Sequence, residues 1–232
     1  MVQNALEEVF ALKKYRIKFS KFDKMIFIGH LDLLTIFQRA IKRANLPIKY
    51  SEGFNPHQQV GFACPLSVGL SSECEFVDIQ LKEEFDTVKM VECLNEVFPR
   101  GLRALEAKEI PEGEKSAAAQ LTNALYMITL DREIDNLSDK VKEFLAKESL
   151  VVTRVIKKKE KSVDIRGDIF EIEVVDNKTL KTLLSAGSAK NLKVDVFLGA
   201  FYDFLGLEYV PSRFDAVRLE LLRKIDDKLV SL

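Results

Sequence analysis

The chain has only two histidines, and each sits in a segment able to hold it in place. His30 lies in Gly29-His30-Leu31-Asp32, at the start of a run with helical spacing. The positive end of a helix dipole disfavours a protonated ring there, so neutral imidazole could act as a base or hydrogen-bond a ligand. A plain capping or core histidine fits the same position, and Asp32 is favourable in a first turn without any further role. His57 closes the segment Tyr50-Ser51-Glu52-Gly53-Phe54-Asn55-Pro56-His57. Gly53 can take positive φ, Pro56 fixes the backbone, and Asn55 is a good turn former. Together they would hold Tyr50, Ser51, Asn55 and His57 on a rigid loop with exposed N–H groups, which suits a phosphate or another polar ligand. An ordinary hairpin loop with a solvated His57 is the bland alternative. A helix start and the loop after that helix can converge in a β-α-β unit, so His30 and His57 are the candidates for a shared cleft.

Cationic residues cluster. Residues 13–24 carry Lys13, Lys14, Arg16, Lys18, Lys21 and Lys24 against Asp23 alone. Residues 154–166 carry Arg154, Lys157, Lys158, Lys159, Lys161 and Arg166 against Glu160 and Asp164. Residues 178–193 carry four lysines and no acid, whereas 73–86 hold six acids and one lysine. Segregated charge of this kind can build a basic cleft in a protein whose total is near neutral. It also fits lysines that guard strand edges. Lys21, Lys159 and Arg166 are the expected cationic rim of a site around Tyr50, Ser51, Asn55 and the histidines.

The elements that must position these groups read as follows. Residues 15–21 alternate, with Tyr15, Ile17 and Phe19 on one face, which predicts a half-buried strand. Residues 25–29 read as a short strand-like continuation. Apolar residues at 33, 36, 37, 40, 41 and 44 predict a helix from 30 that Pro47 ends. A strand over 73–81, a helix over 86–98 and a strand over 102–110 follow. Residues 111–120 read as a linker. The second half repeats the plan: strand 124–130, helix 137–149, strand 150–165, a turn at 166–168, one or two strands within 169–188 about an Asp-Asn turn, helix 194–206 and strand 210–223. Each half therefore reads β-α-β-β-α-β. The expected fold is α+β, with two tandem ferredoxin-like (βαββαβ) lobes, residues 1–115 and 116–232. Tyr15, Ile17, Phe19, Phe37, Ile41, Phe197 and Phe201 are the expected core.

Composition narrows the classes. The chain has 232 residues, 47% hydrophobic and 31% charged, with a net charge of -1. This is a globular balance with enough apolar residues for a core, and its total charge is not that of a strongly basic nucleic-acid binder. No apolar run is long enough for a membrane helix, and the N-terminal segment carries acids where an export signal needs a basic region. A cytoplasmic protein without a membrane partner is expected. Cys64, Cys74 and Cys93 are odd in number and widely spaced, which predicts reduced thiols rather than a disulfide framework or a metal site. The motifs of P-loop, serine-hydrolase and zinc-protease sites are missing. No cofactor is expected.

Three segments carry a family resemblance: F-S-K-F-D-K-M-I-F-I-G-H-L-D-L (19–33), R-A-I-K-R-A-N-L-P-I-K-Y-S-E-G-F-N-P-H (39–57) and F-A-C-P-L-S-V-G-L-S-S-E-C-E (62–75). They resemble the radical-SAM-associated domain, a bacterial family found alone or joined to cobalamin-binding radical SAM proteins. K-K-K-E-K-S-V-D-I-R (157–166) and L-S-A-G-S-A-K-N-L-K (183–192) are similar to the family's basic strand and its Gly-Ser loop, and the latter adds Ser188 to the candidate ligand-binding residues. Gly167, Gln58 and Gln59 depart from the family pattern. The resemblance implies a radical SAM protein as partner and implies no particular reaction. The two-lobed plan is also similar to that of CRISPR repeat-processing ribonucleases, but residues 210–223 contain no glycine where those enzymes carry a glycine-rich loop. Two functions follow. One is a non-catalytic accessory module that binds RNA or a partner protein in RNA modification. The other is a metal-independent RNA endonuclease, with His30 or His57 as base and Lys21 or Arg166 stabilising the phosphorane.

Overall fold

The computed structural model describes residues 12–156, 159–211 and 213–232, without the side chains of 154–159. The N-terminal stretch, whose acids do not fit an export signal, lies largely outside these residues. β1 (Lys13–Lys21) keeps the expected alternation, with Tyr15, Ile17 and Phe19 buried on one face. Residues 23–27 form a short 3-10 turn rather than a strand, entered at Asp23 with φ 51°. α1 (His30–Arg43) turns Leu33, Phe37, Ala40 and Ile41 inward. Then come β2 (Val60–Phe62), β3 (Ser71–Leu81), α2 (Thr87–Val97) and β4 (Leu102–Ile110). Asp86 caps α2 by accepting the Lys89 N–H at 2.7 Å, a contact worth about 1 kcal/mol.

The second half holds α3 (Ala117–Gln120), β5 (Leu121–Thr129), α4 (Leu137–Leu145), β6 (Val151–Ile156), β7 (Lys159–Asp164), β8 (Ile169–Val174), β9 (Thr179–Ser185), α5 (Val194–Leu205), β10 (Asp215–Ile225) and β11 (Lys228–Ser231). The stretch expected as one strand over 150–165 is a hairpin, with β6 and β7 antiparallel in a two-stranded sheet of their own. No helix among the described residues is long and apolar enough to cross a membrane.

The expectation of two tandem ferredoxin-like lobes is overturned. A single nine-stranded mixed sheet runs through both halves in the order β4-β1-β3-β10-β5-β9-β8, with β2 added to β3 and β11 to β10. The joint is a parallel pairing of β3 with β10, at Ser71 with Val217 and Ser72 with Arg218. The reason is physical. A free edge of β3 or β10 would leave a row of backbone N–H and C=O groups unpaired, and pairing the two edges satisfies both. Side chains reinforce it: Ser72 Oγ donates to the Arg218 carbonyl at 3.2 Å.

The cores tell the same story. One cluster lies under α1 and α2 and contains Tyr15, Ile17, Phe19, Phe37, Ile41, Met90 and Leu94. The other is built on Phe144, Phe197 and Phe201, yet it also takes in Cys64, Leu66, Leu70, Cys74 and Phe76 from the first half. The second cluster thus crosses the joint between β3 and β10. The connector between β4 and α3 is tied down as well: Ala117 N–H donates to Asp78 Oδ2 at 2.7 Å, and the Lys115 carbonyl accepts Arg16 Nη2 at 3.2 Å.

Candidate functional site

After α1 the chain turns at Asn45 (φ 54°) and runs back toward the sheet, where Lys49 N–H donates to the Gln80 carbonyl at 2.8 Å. Lys49 and Gln59 then face each other, and Tyr50 pairs with Gln58, so residues 50–58 form a narrow arch. Its neck is closed three times. Ser51 N–H donates to the His57 carbonyl at 2.8 Å, His57 N–H donates to Ser51 Oγ at 3.0 Å, and Ser51 Oγ pairs with His57 Nδ1 at 2.8 Å. These bonds orient the His57 ring, which is exposed.

Buried Gln58 fastens the arch to α1 by donating from Nε2 to the Gln38 carbonyl at 3.1 Å. A groove of about 320 Å³ opens between arch and helix, lined by Thr35, Gln38, Arg39 and Lys42 of α1 and by Tyr50, Pro56, His57 and Gln58. None of these lining residues is acidic. Arg39 and Lys42 are exposed, and they supply the positive charge.

The other expected site residues lie elsewhere. His30 opens α1, half-buried, with its ring edge-on to Phe62 at 5.4 Å between centroids, and it does not line the groove. Phe62 packs in turn on Phe19 and Phe37, so His30 caps an aromatic cluster. Asn55 is exposed on the arch. Lys21 is buried under the joint; burial pulls its ammonium pKa down, Glu75 works against that, and Arg218 adds to it. Arg166 donates twice to the Leu145 carbonyl, at 2.8 and 3.1 Å, and to the Ile169 carbonyl at 3.0 Å. It thereby serves the C-terminal end of α4, where carbonyls lack helical partners. Lys159 begins β7, and its side chain is outside the described set. Ser188 is exposed in the loop after β9. Thus Tyr50, Ser51 and His57 come together, with Asn55 on the same arch, while His30, Lys21, Arg166 and Ser188 do not line the groove.

Thr35, Gln38, Arg39, Lys42 and Gln58 were not among the candidates. Positions 35, 38, 39 and 42 follow helical spacing on the polar face of α1, and that stripe was the available signal. Lys42 also complements the negative end of the helix dipole, a role that masks any other. Among the described residues no three His, Cys, Asp or Glu side chains gather as a metal ion would need. The three cysteines are free thiols, and Cys64 and Cys74 are buried, with burial raising both pKa values.

The chain belongs to a family of uncharacterized proteins conserved in bacteria (DUF2344), which it matches over residues 14–194. No curated protein matches it. Its shape is similar to part of a Cbf5-Nop10-Gar1 complex, at 11% identity and a TM-score of 0.43, covering 89% of this chain and 48% of that one. It is similar also to part of an H/ACA RNP bound to a substrate RNA containing 2'-deoxyuridine, at 11% identity and a TM-score of 0.38, covering 87% and 46%. The chain thus spans about half the length of these solved chains. Likeness at this level defines neither a shared fold nor a shared activity.

Proposed function

We propose that this chain is a non-catalytic RNA-binding module and that it serves a radical SAM protein in RNA modification. The observation that carries the binding half is the groove between α1 and the arch: eight lining residues, two of them exposed cations and none an acid. Arg39 and Lys42 can neutralise phosphates, and the Tyr50 hydroxyl, the His57 ring and the Gln38 amide offer polar partners. The partner half rests on the resemblance of residues 19–75 to the radical-SAM-associated domain.

Binding is favoured over cleavage by the placement of the histidines. Metal-independent cleavage of RNA needs a base for the 2'-OH and an acid for the leaving oxygen, both within reach of one phosphate. His57 is in the groove and His30 is not among its lining residues, so a histidine pair does not form there.

The test is fluorescence anisotropy of labelled RNA against salt concentration. Affinity is expected to fall steeply with salt, and Arg39→Ala and Lys42→Ala are each expected to flatten the slope by about 0.7 to 0.9 units, the counterions released at one phosphate. Salt-independent binding, or no binding with the radical SAM partner present, defeats the proposal.

A further inference from the structure

We infer that the RNA taken by this groove is single-stranded and that Phe54 stacks against one of its bases. The inference rests on the RNA-binding reading and adds the ligand's form and a contact residue. Phe54 stands on the arch with its side chain fully in water, at 105% relative exposure. A benzyl side chain left in water forfeits the free energy of burial, and here the chain is built to keep it there. The three contacts between Ser51 and His57 close the loop beneath it. Gly53, just before it, has φ +113°, a conformation that residues with side chains rarely adopt. Phe54 is therefore held out by a rigid neck.

Its position relates it to the groove. Pro56 and His57 line the groove, and Phe54 is two residues from Pro56, at most about 7 Å between Cα atoms. Phe54 therefore stands on the same arch that supplies Pro56 and His57 to the groove beside Arg39 and Lys42. Single-stranded RNA offers a partner for both features, a polyanionic backbone for the cations and unstacked bases with free π-faces for the ring. A duplex has its bases paired and stacked, and gives a protruding ring nothing to stack on. The absence of acids from the groove lining argues for an anionic ligand over a neutral apolar one.

The chain contains no tryptophan, so Phe54→Trp installs a sole indole fluorophore at this position. The probe is a mixed-sequence twelve-nucleotide RNA, single-stranded or annealed to its complement. The single strand is expected to quench the indole and the duplex to leave it unchanged. Phe54→Ala is expected to weaken single-strand binding about fivefold or more, from the loss of one stacked base. Phe54→Trp, which keeps an aromatic face, is expected to bind more tightly than Phe54→Ala. The salt slope of Phe54→Ala should match the parent, because no phosphate contact is lost, whereas Arg39→Ala flattens it. Phe54 packs on no core residue, and circular dichroism of both variants checks that they fold.

Unchanged affinity in Phe54→Ala, or equal quenching by the duplex, overturns the inference and leaves the RNA-binding reading standing. A photocrosslinker at position 54 that labels protein partners and never RNA overturns it as well. If the parent chain binds neither form of RNA, the underlying reading falls and takes this one with it.

Discussion

Glu75 Oε1 lies 3.1 Å from Arg218 Nε, and both side chains are buried where β3 meets β10. Lys21 is buried close by, so the joint encloses two cations and one carboxylate. Arg218 also lies over the Tyr126 ring, 5.7 Å from its centroid, a favourable cation–π placement. Burial opposes charge on all three groups. Glu75 nonetheless holds Arg218 firmly charged, and its own carboxyl pKa is pushed up by burial against the pull of Arg218, Ser72 and Lys21.

Removing one member should therefore be severe and removing both mild. Glu75→Gln leaves Arg218 and Lys21 as uncompensated buried cations, and is expected to cost about 3–5 kcal/mol. Adding Lys21→Met to Glu75→Gln should recover part of that loss. The double variant Glu75→Met with Arg218→Met should lie much closer to the parent than either single change. Urea unfolding midpoints of the parent, the single variants and the double variants decide this; additive single losses would show that the pair is not coupled.

Arg166 separates a structural from a ligand-binding role. Its guanidinium is engaged by the Leu145 and Ile169 carbonyls, so Arg166→Met is expected to lower stability by about 1–3 kcal/mol. RNA affinity and its salt slope should stay at the parent values. A flattened slope in a variant with unchanged melting temperature would instead place Arg166 on the ligand.

The pair Asp131 and Tyr202 should make stability depend on pH at both extremes. The Tyr202 hydroxyl donates to Asp131 Oδ1 at 2.6 Å, and Arg132 pairs with the same carboxylate at 2.8 Å. The hydrogen bond from Arg132 leads in lowering the Asp131 pKa from 3.8 to about 2. A depressed folded pKa contributes stability that is present above the unfolded value and lost as pH falls from near 4 toward 2. Burial, then the bond to Asp131, pushes Tyr202 up from 10.0 to about 12. That contribution is present below the unfolded value and lost as pH rises from 10 toward 12. Asp131→Asn should shrink the acid limb and blunt the alkaline one, and Tyr202→Phe should shrink the alkaline limb. Thermal melts across pH check both, and an unaltered acid limb in Asp131→Asn would refute the assignment.

Gly187 should tolerate no side chain. Its φ is +134°, and a Cβ there would strike the Leu121 carbonyl oxygen, which belongs to backbone and cannot swing away. Gly187→Ala is expected to destabilise by more than about 1 kcal/mol, read from the melting temperature. Ser188→Gly next to it, on an exposed position, should leave the melting temperature nearly unchanged.

Local periodicity made much of the chain legible. The alternation of Tyr15, Ile17 and Phe19, and the spacing of Leu33, Phe37 and Ile41, are properties of one strand and one helix, and those residues are buried as their spacing requires. The arch from Tyr50 to His57 could also be read, because Gly53 and Pro56 act on the backbone beside them. Residues 151–164 carry no such signal: they contain no glycine, proline or asparagine, so alternation alone reads as one strand where β6 and β7 pair as two. The joint of β3 with β10 could not be read at all. It pairs Ser72 with Arg218, residues 146 positions apart, and a strand's alternation says which face is apolar, never which edge finds a partner. The groove fell to the same limit. Arg39 and Lys42 look like any solvated helix face until Gln58 fastens the arch across them, and only tertiary structure brings charge from one element opposite a loop from another.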